Sequence, residues 1–398
     1  MENDFLLIGI DGGATKVNAC HVLYKDSGKS FSLSETCSEL FYLDLPGYLT
    51  KFKPVDIKKQ LEELKNNEIC PSLNEKHQEA VIVEACCKTV LNICKKLKKY
   101  KALLGIGLPG LKTNDKRGIA AMNNGPRMIR FSQLLEERLA MESIELVQSV
   151  KELGSDADYC GIGENYAENG LLKDTQNVYY LGGGTGVADA IKLDGQLVPF
   201  DKIKSWMAKS WEMQWSDGIS MEKYVSAQGI LGQFARLNGL AIDELKEQGL
   251  HASHLVDLAR RGDRDAKTTF KKVSEPLAAL IFERIQTLYA GWQDTFKLSN
   301  PQRKITDSDH PHRSKVFDRI VLGQRLGQIL STEGGFSVLG KPMLKILSEK
   351  IQNCIHFPDK VKHHYRDLDK IIQFSTLRDA PALGAGIDAY FSYTGERV

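Results

Sequence analysis

The chain has 398 residues, more than a single hydrophobic core usually supports, so two domains are expected. Its formal net charge of +2 at pH 7 is too small to indicate a protein that binds nucleic acid. No apolar run approaches the length of a membrane span, and residues 5–10 are too few for the core of a secretory signal. We therefore expect a cytoplasmic protein that binds neither nucleic acid nor membranes.

The cysteines carry information about metals and redox state. Eight of them are dispersed along the chain, and no Cys-x-x-Cys pair is present. A structural zinc site needs about four thiolate or imidazole ligands, which usually occur at short spacing. The sequence therefore predicts no structural zinc, and the expected cytoplasmic location predicts reduced thiols.

The first predicted element is a buried strand over residues 5–11, which ends at Asp11 and runs into a glycine turn. A second strand over residues 17–23 follows at once, so the pattern predicts a β-hairpin. A Rossmann or Walker phosphate site would need a helix after its glycines, and neither of those motifs is present.

The middle of the chain alternates between helical and strand patterns. Apolar residues at helical spacing predict a helix over residues 79–100, and a strand is predicted over residues 102–108. The elements predicted next are a helix over 131–140, a strand over 144–147, a helix over 156–169 and a strand over 177–181. A second glycine turn, residues 182–186, joins this last strand to another that ends near residue 193.

The last part of the chain is mostly helical in pattern from residue 221 onward. We interpret Pro276 as a proline in the first turn of a helix. Residues 297–315 are polar and contain proline, which predicts a surface insertion, and residues 319–323 form a last clear strand. Alternating strands and helices predict an α/β protein, and one glycine hairpin in each half suggests two similar lobes.

Two glycine hairpins suit the phosphate tail of a nucleotide. Glycine lets the backbone turn tightly and lets its N–H groups approach anionic oxygens closely. Asp11 could hold Mg²⁺ directly or through water, while Thr15 and Lys16 could contact phosphate. One such turn alone would more often be an ordinary hairpin; a second at the matching point of the other lobe favours the phosphate site.

Seven short segments resemble, in family order, motifs of the ROK family (repressors, open reading frames and kinases). They are a first phosphate motif at 8–16, a Gly-x-Gly-x-Pro-Gly segment at 105–110, an asparagine segment at 118–125, an Asn-Asp-Ala-Asn-like motif at 155–158, a second phosphate motif at 181–186 and two adenosine-side segments at 319–323 and 380–385. The resemblance covers nearly the whole chain, and its specificity lies in the order and spacing of the motifs.

The resemblance implies an α/β, two-lobed, actin-like ATPase fold (ribonuclease H-like) with an interdomain cleft. The first lobe is expected to hold residues 1–150, completed by a C-terminal helix at 385–398, and the second residues 151–384. The implied activity is that of an ATP-dependent sugar kinase with Mg²⁺, whose partners are a sugar and a nucleotide. A homodimer is left open.

The resemblance also implies roles for individual residues. Asp156 would be the general base, because a sugar hydroxyl must lose its proton as the phosphoryl group is transferred. Capping of the helix that follows is the alternative role for this carboxylate. The residues implied to bind the nucleotide, with Asp11 also the metal ligand, are Asp11, Gly12, Gly13, Thr15, Lys16, Gly183, Gly184, Thr185, Gly186, Gly323 and Gly384. Those implied to contact the sugar are Asn123, Asn124, Asp158, Glu212 and Glu222.

The segment after the second glycine turn departs from the family pattern. ROK proteins have a Glu-x-Gly-His segment and a cysteine-rich zinc loop there, whereas this chain has Trp215 in the place of the histidine and no cysteine. Trp206, Trp211 and Trp215 are interpreted either as a stacking surface for a sugar ring or as core packing. Asp158 replaces a family asparagine and adds a charge beside the proposed base.

Three functions stay open on the sequence: a sugar kinase, a non-catalytic ligand-sensing or scaffold protein of the same fold, and a kinase for another substrate. Retention of Asp11, Asp156 and both glycine turns favours an enzyme, whereas the missing zinc loop and histidine favour the alternatives. ROK repressors carry an N-terminal helix-turn-helix, which is not expected here because the first strand begins at residue 5. The donor could be ATP or polyphosphate, and the sugar is left open.

Overall fold

The computed structural model describes residues 4–25 and 29–395. The chain divides into two compact units, Met1–Asn169 with Asp379–Val398, and Gly170–Arg378. The first unit thus extends past the boundary predicted at residue 150, and the chain re-enters it at residue 379, before the predicted residue 385.

The first unit begins with three strands, β1 (Leu6–Gly12), β2 (Lys16–Lys25) and β3 (Ser30–Phe41). The elements that follow in it are α1 (Ile57–Asn66), α2 (Leu73–Leu97), β4 (Lys101–Gly107), β5 (Leu111–Lys112), β6 (Ile119–Ala121), α3 (Phe131–Met141), β7 (Glu145–Leu146), β8 (Leu153–Gly154) and α4 (Asp156–Tyr166).

The second unit also begins with three strands, β9 (Val178–Gly183), β10 (Val187–Leu193) and β11 (Gln196–Val198). Next come α5 (Phe200–Ile203), β12 (Met213–Gln214), α6 (Glu222–Val225), α7 (Ala227–Leu237), α8 (Ile242–Glu247), α9 (Ala252–Arg260), α10 (Arg264–Ala290), β13 (Lys297–Leu298), β14 (Arg319–Gly323), α11 (Gln324–Leu330), α12 (Glu333–Gly335), α13 (Lys341–Asn353), α14 (Asp359–His364), α15 (Leu368–Ile371) and β15 (Ile372–Phe374). The last helix, α16 (Ala380–Thr394), belongs to the first unit.

The main sheets of the two units have the same strand pattern. Their strand orders are β3-β2-β1-β4-β7, with β8 also paired to β4, and β11-β10-β9-β14-β15. In each sheet the first three strands along the chain are antiparallel neighbours, and the later strands pair in parallel. The predicted glycine hairpins are β1–β2 and β9–β10. The prediction of an α/β protein with one such hairpin in each half is confirmed.

Helix α16 packs on the first sheet at positions where glycines replace side chains. A Cβ on Gly9 of β1 would collide with the carbonyl oxygen of Ala382, and one on Gly105 of β4 with that of Ala385. Helix α4 packs along α16, and a Cβ on Gly384 would collide with the carbonyl oxygen of Tyr159. This close packing of α4 on α16 is why α4 belongs to the first unit rather than to the second.

The second unit corrects two sequence-based interpretations. Pro276 lies inside α10, whose N-cap is Asp263, with its side chain accepting a hydrogen bond from the Ala266 N–H at 2.7 Å. Pro276 is therefore not in a first helical turn. His310, in the predicted surface insertion, is buried and stacks on Trp206 with ring centroids 3.9 Å apart. Part of that polar segment thus contributes to the core.

One pair of cysteines differs from the expected state. Cys20 of β2 and Cys37 of β3 lie directly opposite each other and form a disulfide, with their Cα atoms 4.1 Å apart. The prediction of reduced thiols is wrong for this pair, because strand register places together two residues far apart in sequence. Among the described residues, no helix has the length and apolar composition needed to cross a membrane.

Candidate functional site

The carboxyl ends of three strands in the first unit lie side by side. Asp11, near the end of β1, pairs with Gly107 of β4, and Gly107 pairs with Gly154 of β8. Neighbouring strands are about 4.8 Å apart, so the backbones of Asp11 and Gly154 are about 10 Å apart. Asp156 begins α4 two residues after Gly154. The structure therefore brings Asp11 and Asp156 to one edge of the sheet.

A third carboxylate, which the sequence analysis missed, belongs to this edge. Asp379 is the N-cap residue of α16, and its Oδ1 accepts a hydrogen bond from Asn18 Nδ2 at 2.9 Å. Asn18 lies opposite Asp11 in the β1–β2 hairpin. The signal was present in the sequence, since Asp379 directly precedes the motif at 380–385, but only the fold brings it to the hairpin.

The electrostatics of Asp11 reflect this crowding. Burial raises its pKa to about 7, and the negative charges of Asp156 and Asp379 contribute in the same direction, while Lys16 opposes them. Lys16, which is also paired with Glu39, offsets these effects only in part. This edge therefore has an excess of negative charge.

The ligands at this edge limit how a divalent cation would bind there. Among the described residues, no group of three or more His, Cys, Asp or Glu side chains is arranged to hold a metal ion by itself. Mg²⁺ in phosphoryl-transfer sites usually takes one or two carboxylates and completes its shell with phosphate oxygens and water. Asp11, with the negative charges of Asp156 and Asp379 nearby, fits that mode of binding and not a cage made entirely of protein ligands.

Asp156 was open to interpretation as a helix cap. The N-cap of α4 is Ser155, whose side chain makes no capping hydrogen bond, and Asp156 is the first helical residue. Its Oδ1 accepts a hydrogen bond from the Ala157 N–H at 3.0 Å, and its side chain is exposed. Asp156 is therefore not the N-cap, and its role as a base stays a prediction. Asp158, in the same first turn, is half-buried.

The first glycine turn is closed by a hydrogen bond from the Gly13 N–H to the Lys16 carbonyl oxygen at 2.9 Å. Neither Gly12 nor Gly13 has a positive φ, so a tight bend is not the reason for glycine here. A Cβ on Gly12 would collide with the side chain of Leu108. Thr15 is exposed in the turn, whereas the Lys16 ammonium forms an ion pair with Glu39.

The second glycine turn is contacted by a carboxylate that was predicted to contact sugar. The Gly184 N–H donates to the Gly186 carbonyl oxygen at 2.9 Å, and Thr185 lies between them. The Val187 N–H donates to Glu222 Oε2 at 3.3 Å, and a Cβ on Gly186 would lie 2.7 Å from the same oxygen. Glycine at this position thus lets Glu222 reach the turn, which places a predicted sugar ligand beside a predicted phosphate loop.

Three glycines predicted to bind the nucleotide have a packing role in the structure. Gly384 lies in α16, where it allows the close approach of α4. Gly323 ends β14, where a Cβ would collide with the hydroxyl of Tyr180. Gly183 similarly leaves room for Leu326. These close packing contacts are sufficient reason for glycine at all three positions.

The segment without cysteines forms a closed loop. Met221 donates its N–H to the carbonyl oxygen of Met213 at 2.8 Å, and Trp215 donates to that of Ile219 at 2.8 Å. The Tyr224 hydroxyl also donates to the Asp217 carboxylate from the first turn after the loop. Backbone hydrogen bonds therefore close this loop.

Glu212, at the start of this loop, already has partners. Its Oε2 accepts from the Lys209 N–H at 2.7 Å, and its Oε1 lies 3.4 Å from Arg303 Nε. Next to it, the Ser210 N–H donates to the buried carboxylate of Asp189 at 2.8 Å. The backbone around Glu212 is thus anchored in the core of the second unit. Glu212 still has lone pairs for further donors, since a carboxylate accepts about four hydrogen bonds.

The three tryptophans do not form one surface. Trp206 is buried against His310, and Trp215 packs against Phe296 with ring centroids 6.2 Å apart. Trp211 is 50% exposed. The core-packing interpretation therefore holds for Trp206 and Trp215, and Trp211 is the one of the three with a substantially exposed ring.

The asparagine segment is fixed on both sides by buried polar side chains. Gln60 is fully buried, accepts from the Met122 N–H at 2.8 Å and donates to the Met122 carbonyl oxygen at 3.1 Å. On the other side, buried Arg127 pairs with Glu75 at 2.7 Å. Asn123 and Asn124 are exposed between these two anchors. A cavity of about 20 Å³, lined by Gly13 and Asn124 among others, places the segment next to the first glycine turn.

The second unit contains a cavity of about 770 Å³ next to its glycine turn. Gln228 at the start of α7 lines it and donates its N–H to the Gly184 carbonyl oxygen at 3.2 Å. Four cationic side chains line the cavity, those of Lys246, Arg260, Arg325 and Arg378, and they outnumber its two carboxylates, Asp257 and Glu333. It also has apolar walls, as a cavity for a flat ring would require.

Comparisons with known proteins rest on structure alone. No protein-family model matches the chain, and no curated protein matches it by sequence. A ROK family glucokinase from Streptomyces griseus, solved with glucose and AMPPNP, is similar with a TM-score of 0.56 and 14% identity, covering 96% of this chain and 98% of the glucokinase.

Two further solved structures extend the comparison beyond glucokinases. A ROK family protein from Streptococcus pneumoniae, in complex with sucrose, has a TM-score of 0.53 and 12% identity, covering 98% of this chain and 100% of that one. A ROK family transcriptional regulator, a homologue of the E. coli MLC protein, has a TM-score of 0.54 and 11% identity, covering 98% and 79%. The chain therefore has the actin-like ATPase fold of ROK proteins, and the resemblance to that family is confirmed at the level of the fold.

Proposed function

We propose that this chain, with the fold of ROK proteins, is an ATP-dependent phosphotransferase that phosphorylates a hydroxyl of a sugar or sugar derivative. One observation carries the proposal: Asp11 and Asp156 lie at the same edge of the first sheet, directly beside the first glycine turn. Two carboxylates with different surroundings suit the two tasks of the reaction, which are to hold a metal and to accept a proton.

Asp156 is the general base in this proposal. Its exposed carboxylate accepts the proton of the attacking hydroxyl as the new bond to phosphorus forms. Asp11 is the residue that would hold Mg²⁺, directly or through water, and Asp379 adds negative charge nearby. The bound metal would neutralise charge on the phosphate oxygens. Ala14 and Thr15, which are exposed in the first glycine turn, would offer backbone N–H donors to those oxygens.

The donor nucleotide is assigned to the second unit. A cavity of about 770 Å³ is large enough for a nucleoside, and its four cationic side chains suit phosphate groups. The second glycine turn adjoins it through the hydrogen bond between Gln228 and Gly184. The S. griseus glucokinase of the same fold was solved with AMPPNP, an ATP analogue. These observations support ATP over polyphosphate, which has no ring to occupy the cavity.

The acceptor is assigned to residues that present amide and carboxylate oxygens. Asn123 and Asn124 are exposed beside the first turn, and Asp158 lies two residues after Asp156. Glu212 and Glu222 lie at the two ends of the closed loop in the second unit. A polyol presents many O–H donors, which such oxygens accept, and a site built in this way rejects analogues that lack them.

A non-catalytic ligand-sensing protein is the second candidate. Two observations favour it: Glu212 and Lys16 are both engaged in ion pairs, and a ROK regulator shares the fold. A sensor would bind the sugar without turnover. The two functions are therefore separable by measuring binding and product formation on the same preparation.

The experiment is an ADP-release screen against neutral, N-acetylated and acidic sugars with Mg·ATP, and a matching screen with polyphosphate as donor. Thermal stabilisation by each sugar and by AMPPNP is measured in parallel, because a ligand that binds the native state raises its stability with concentration. Turnover of a sugar is the expected result. Stabilisation by sugars without turnover would indicate the sensor, and stabilisation by nucleotide alone would indicate a kinase for another substrate.

A further inference from the structure

Lys112 lies at the same edge of the first sheet and has no role in the proposed reaction so far. It is the last residue of β5, three residues after Pro109 in the Gly-x-Gly-x-Pro-Gly segment. Its ammonium donates to the carbonyl oxygen of Leu108 at 2.5 Å and to that of Gly110 at 3.1 Å. The side chain thus folds back over the segment that follows β4 and does not extend into solvent.

This position is next to the start of α4. The Leu108 N–H donates to the Gly154 carbonyl oxygen at 3.3 Å, so the residue whose carbonyl oxygen accepts from the ammonium is also bonded to the end of β8 through its N–H. Asp156 follows Gly154 by two residues. The Lys112 ammonium is therefore separated from the backbone of the proposed base by one hydrogen-bonded pair of strand ends.

The charges that act on Lys112 come from the same helix. Burial lowers its pKa to about 8, and the carboxylates of Asp156 and Asp158 are the groups that oppose this shift. An ammonium has three N–H donors, and the two carbonyl oxygens account for two of them. The remaining donor and the positive charge are available to the carboxylates of α4.

A neighbouring lysine shows what an ordinary surface position looks like. Lys116 pairs with Glu152 at 2.7 Å, and its side chain is 61% exposed. It bonds to no carbonyl oxygen of the β4 segment among the described contacts. Such exposed pairs typically contribute less than about 1 kcal/mol. Lys116 is therefore a matched control for the removal of a lysine charge on the same surface loop.

We propose that Lys112 is a positioning residue for Asp156: its ammonium joins the carbonyl oxygens after β4 to the carboxylates at the start of α4. This rests on the proposed function, in which Asp156 accepts the hydroxyl proton. Asp158 places a second negative charge beside Asp156, and a fixed cation between the strand end and the helix compensates that repulsion.

The first test compares three variants, Lys112→Met, Lys112→Arg and the control Lys116→Met, in steady-state kinetics with Mg·ATP and the best acceptor. We expect Lys112→Met to lower kcat by about tenfold with little change in the KM for ATP, because positioning acts on the chemical step. Lys112→Arg should restore most of the activity, and Lys116→Met should match the wild type.

A merely structural lysine would behave differently. If Lys112→Met lowers thermal stability but leaves kcat of the folded enzyme unchanged, the proposal is wrong. The same conclusion follows if Lys112→Arg fails to restore activity while it restores stability.

A second readout does not depend on turnover. Protein with ¹³C at the lysine ε-carbons is titrated by NMR, and the Lys112 resonance is assigned by its loss in Lys112→Arg. In Asp156→Asn the pKa of Lys112 should fall relative to wild type, because one carboxylate that favours the ammonium is gone. An unchanged titration overturns the contact with Asp156. If the wild type turns over no sugar, the proposed function fails, and this titration alone decides whether Lys112 and Asp156 interact.

Discussion

The two units share one strand pattern but differ in the side chains around their glycine turns. In the first hairpin Gly12 pairs with Val17, and in the second Gly183 pairs with Val187. The residue before the paired glycine is Asp11 in the first unit and Gly182 in the second. The first turn therefore has a carboxylate at the end of its own strand, whereas the second has glycine there and is contacted by Glu222 from a later part of the chain.

The charges around the turns follow the same division. Asp156 and Asp379 add to the negative charge near the first turn and raise the pKa of Asp11. The second turn adjoins a cavity lined by cationic side chains, among them Arg325. The repeated strand pattern thus fixes where each turn lies. The side chains after the strands decide whether a metal ion or an anionic ligand would fit beside that turn.

The largest effect is expected at Asp156, the proposed general base in the first unit. Asp156→Asn should lower kcat by about 10²-fold or more and leave nucleotide affinity nearly unchanged, because the lost interaction forms only in the transition state. Steady-state kinetics and calorimetry with AMPPNP measure both quantities. The control is Asp201→Asn, an exposed carboxylate of the second unit. Retention of more than about a tenth of kcat would show that the first unit's carboxylate is not the base.

The next effect concerns the packing of helices. A stability measurement compares a glycine substitution in the first unit with one in the second. Gly384→Val should destabilise the first unit by about 1–3 kcal/mol or more, because the new side chain collides with the Tyr159 carbonyl oxygen between two helices. Denaturant unfolding followed by circular dichroism measures this. Gly232→Ala is the control, since its Cβ would lie 3.2 Å from the mobile end of Ile242 in the second unit. Equal stability of both variants would contradict the packing role of Gly384.

A smaller effect is expected in the cavity of the second unit. Arg325→Gln should weaken ADP binding by about tenfold, which corresponds to one charge-assisted hydrogen bond. Adenosine binding should hardly change, because adenosine has no phosphate. Calorimetry with both ligands makes the comparison, and Arg366→Gln, an exposed residue outside the cavity, is the control. Equal losses for ADP and adenosine would mean that Arg325 does not contact phosphate.

The smallest effect is the pH dependence of stability from Asp11. Its pKa is about 7 in the fold and near 4 in an unfolded chain, so between these values unfolding releases a proton. The contribution of this carboxyl is full below about pH 4 and is lost as the pH rises to about 7. Asp11→Asn should flatten that part of the curve of Tm against pH, each kcal/mol being worth about 2–4 °C.

The control for this measurement is Asp243→Asn on the exposed side of α8. Its curve of Tm against pH should match that of the wild type. If Asp11→Asn also matches, the crowding of carboxylates at the first turn has no energetic consequence.

Much of the fold could be predicted because its signals are local. The apolar strands before Gly12 and Gly183, and the short turns after them, follow from residues next to each other in sequence. The interpretation of Pro276 failed because α10 begins at a polar cap twelve or more residues earlier, where the apolar pattern is weak. The boundary at residue 150 failed because the packing of α4 on α16 joins residues far apart in the chain.

The candidate site divides in the same way. Asp11 and Asp156 were predicted because each follows a recognisable strand or motif. Asp379 and Lys112 were not, since their relation to those carboxylates depends on which strand ends and helix ends the fold brings together. Glu212 and Glu222 were predicted as ligands, but their ion pair and their contact with the second turn came only from the structure.

The sequence by itself determined the two glycine hairpins, the strands at residues 102–108 and 319–323 and the residue types at the strand ends. These depend on backbone preferences and on the alternation of apolar residues, which act over a few positions. The tertiary structure alone decided the disulfide between Cys20 and Cys37, the burial of His310 and the gathering of three carboxylates and one lysine at one sheet edge. Strand register and helix packing fix such contacts, and both depend on the whole core, because a register shift of one residue turns every side chain to the other face.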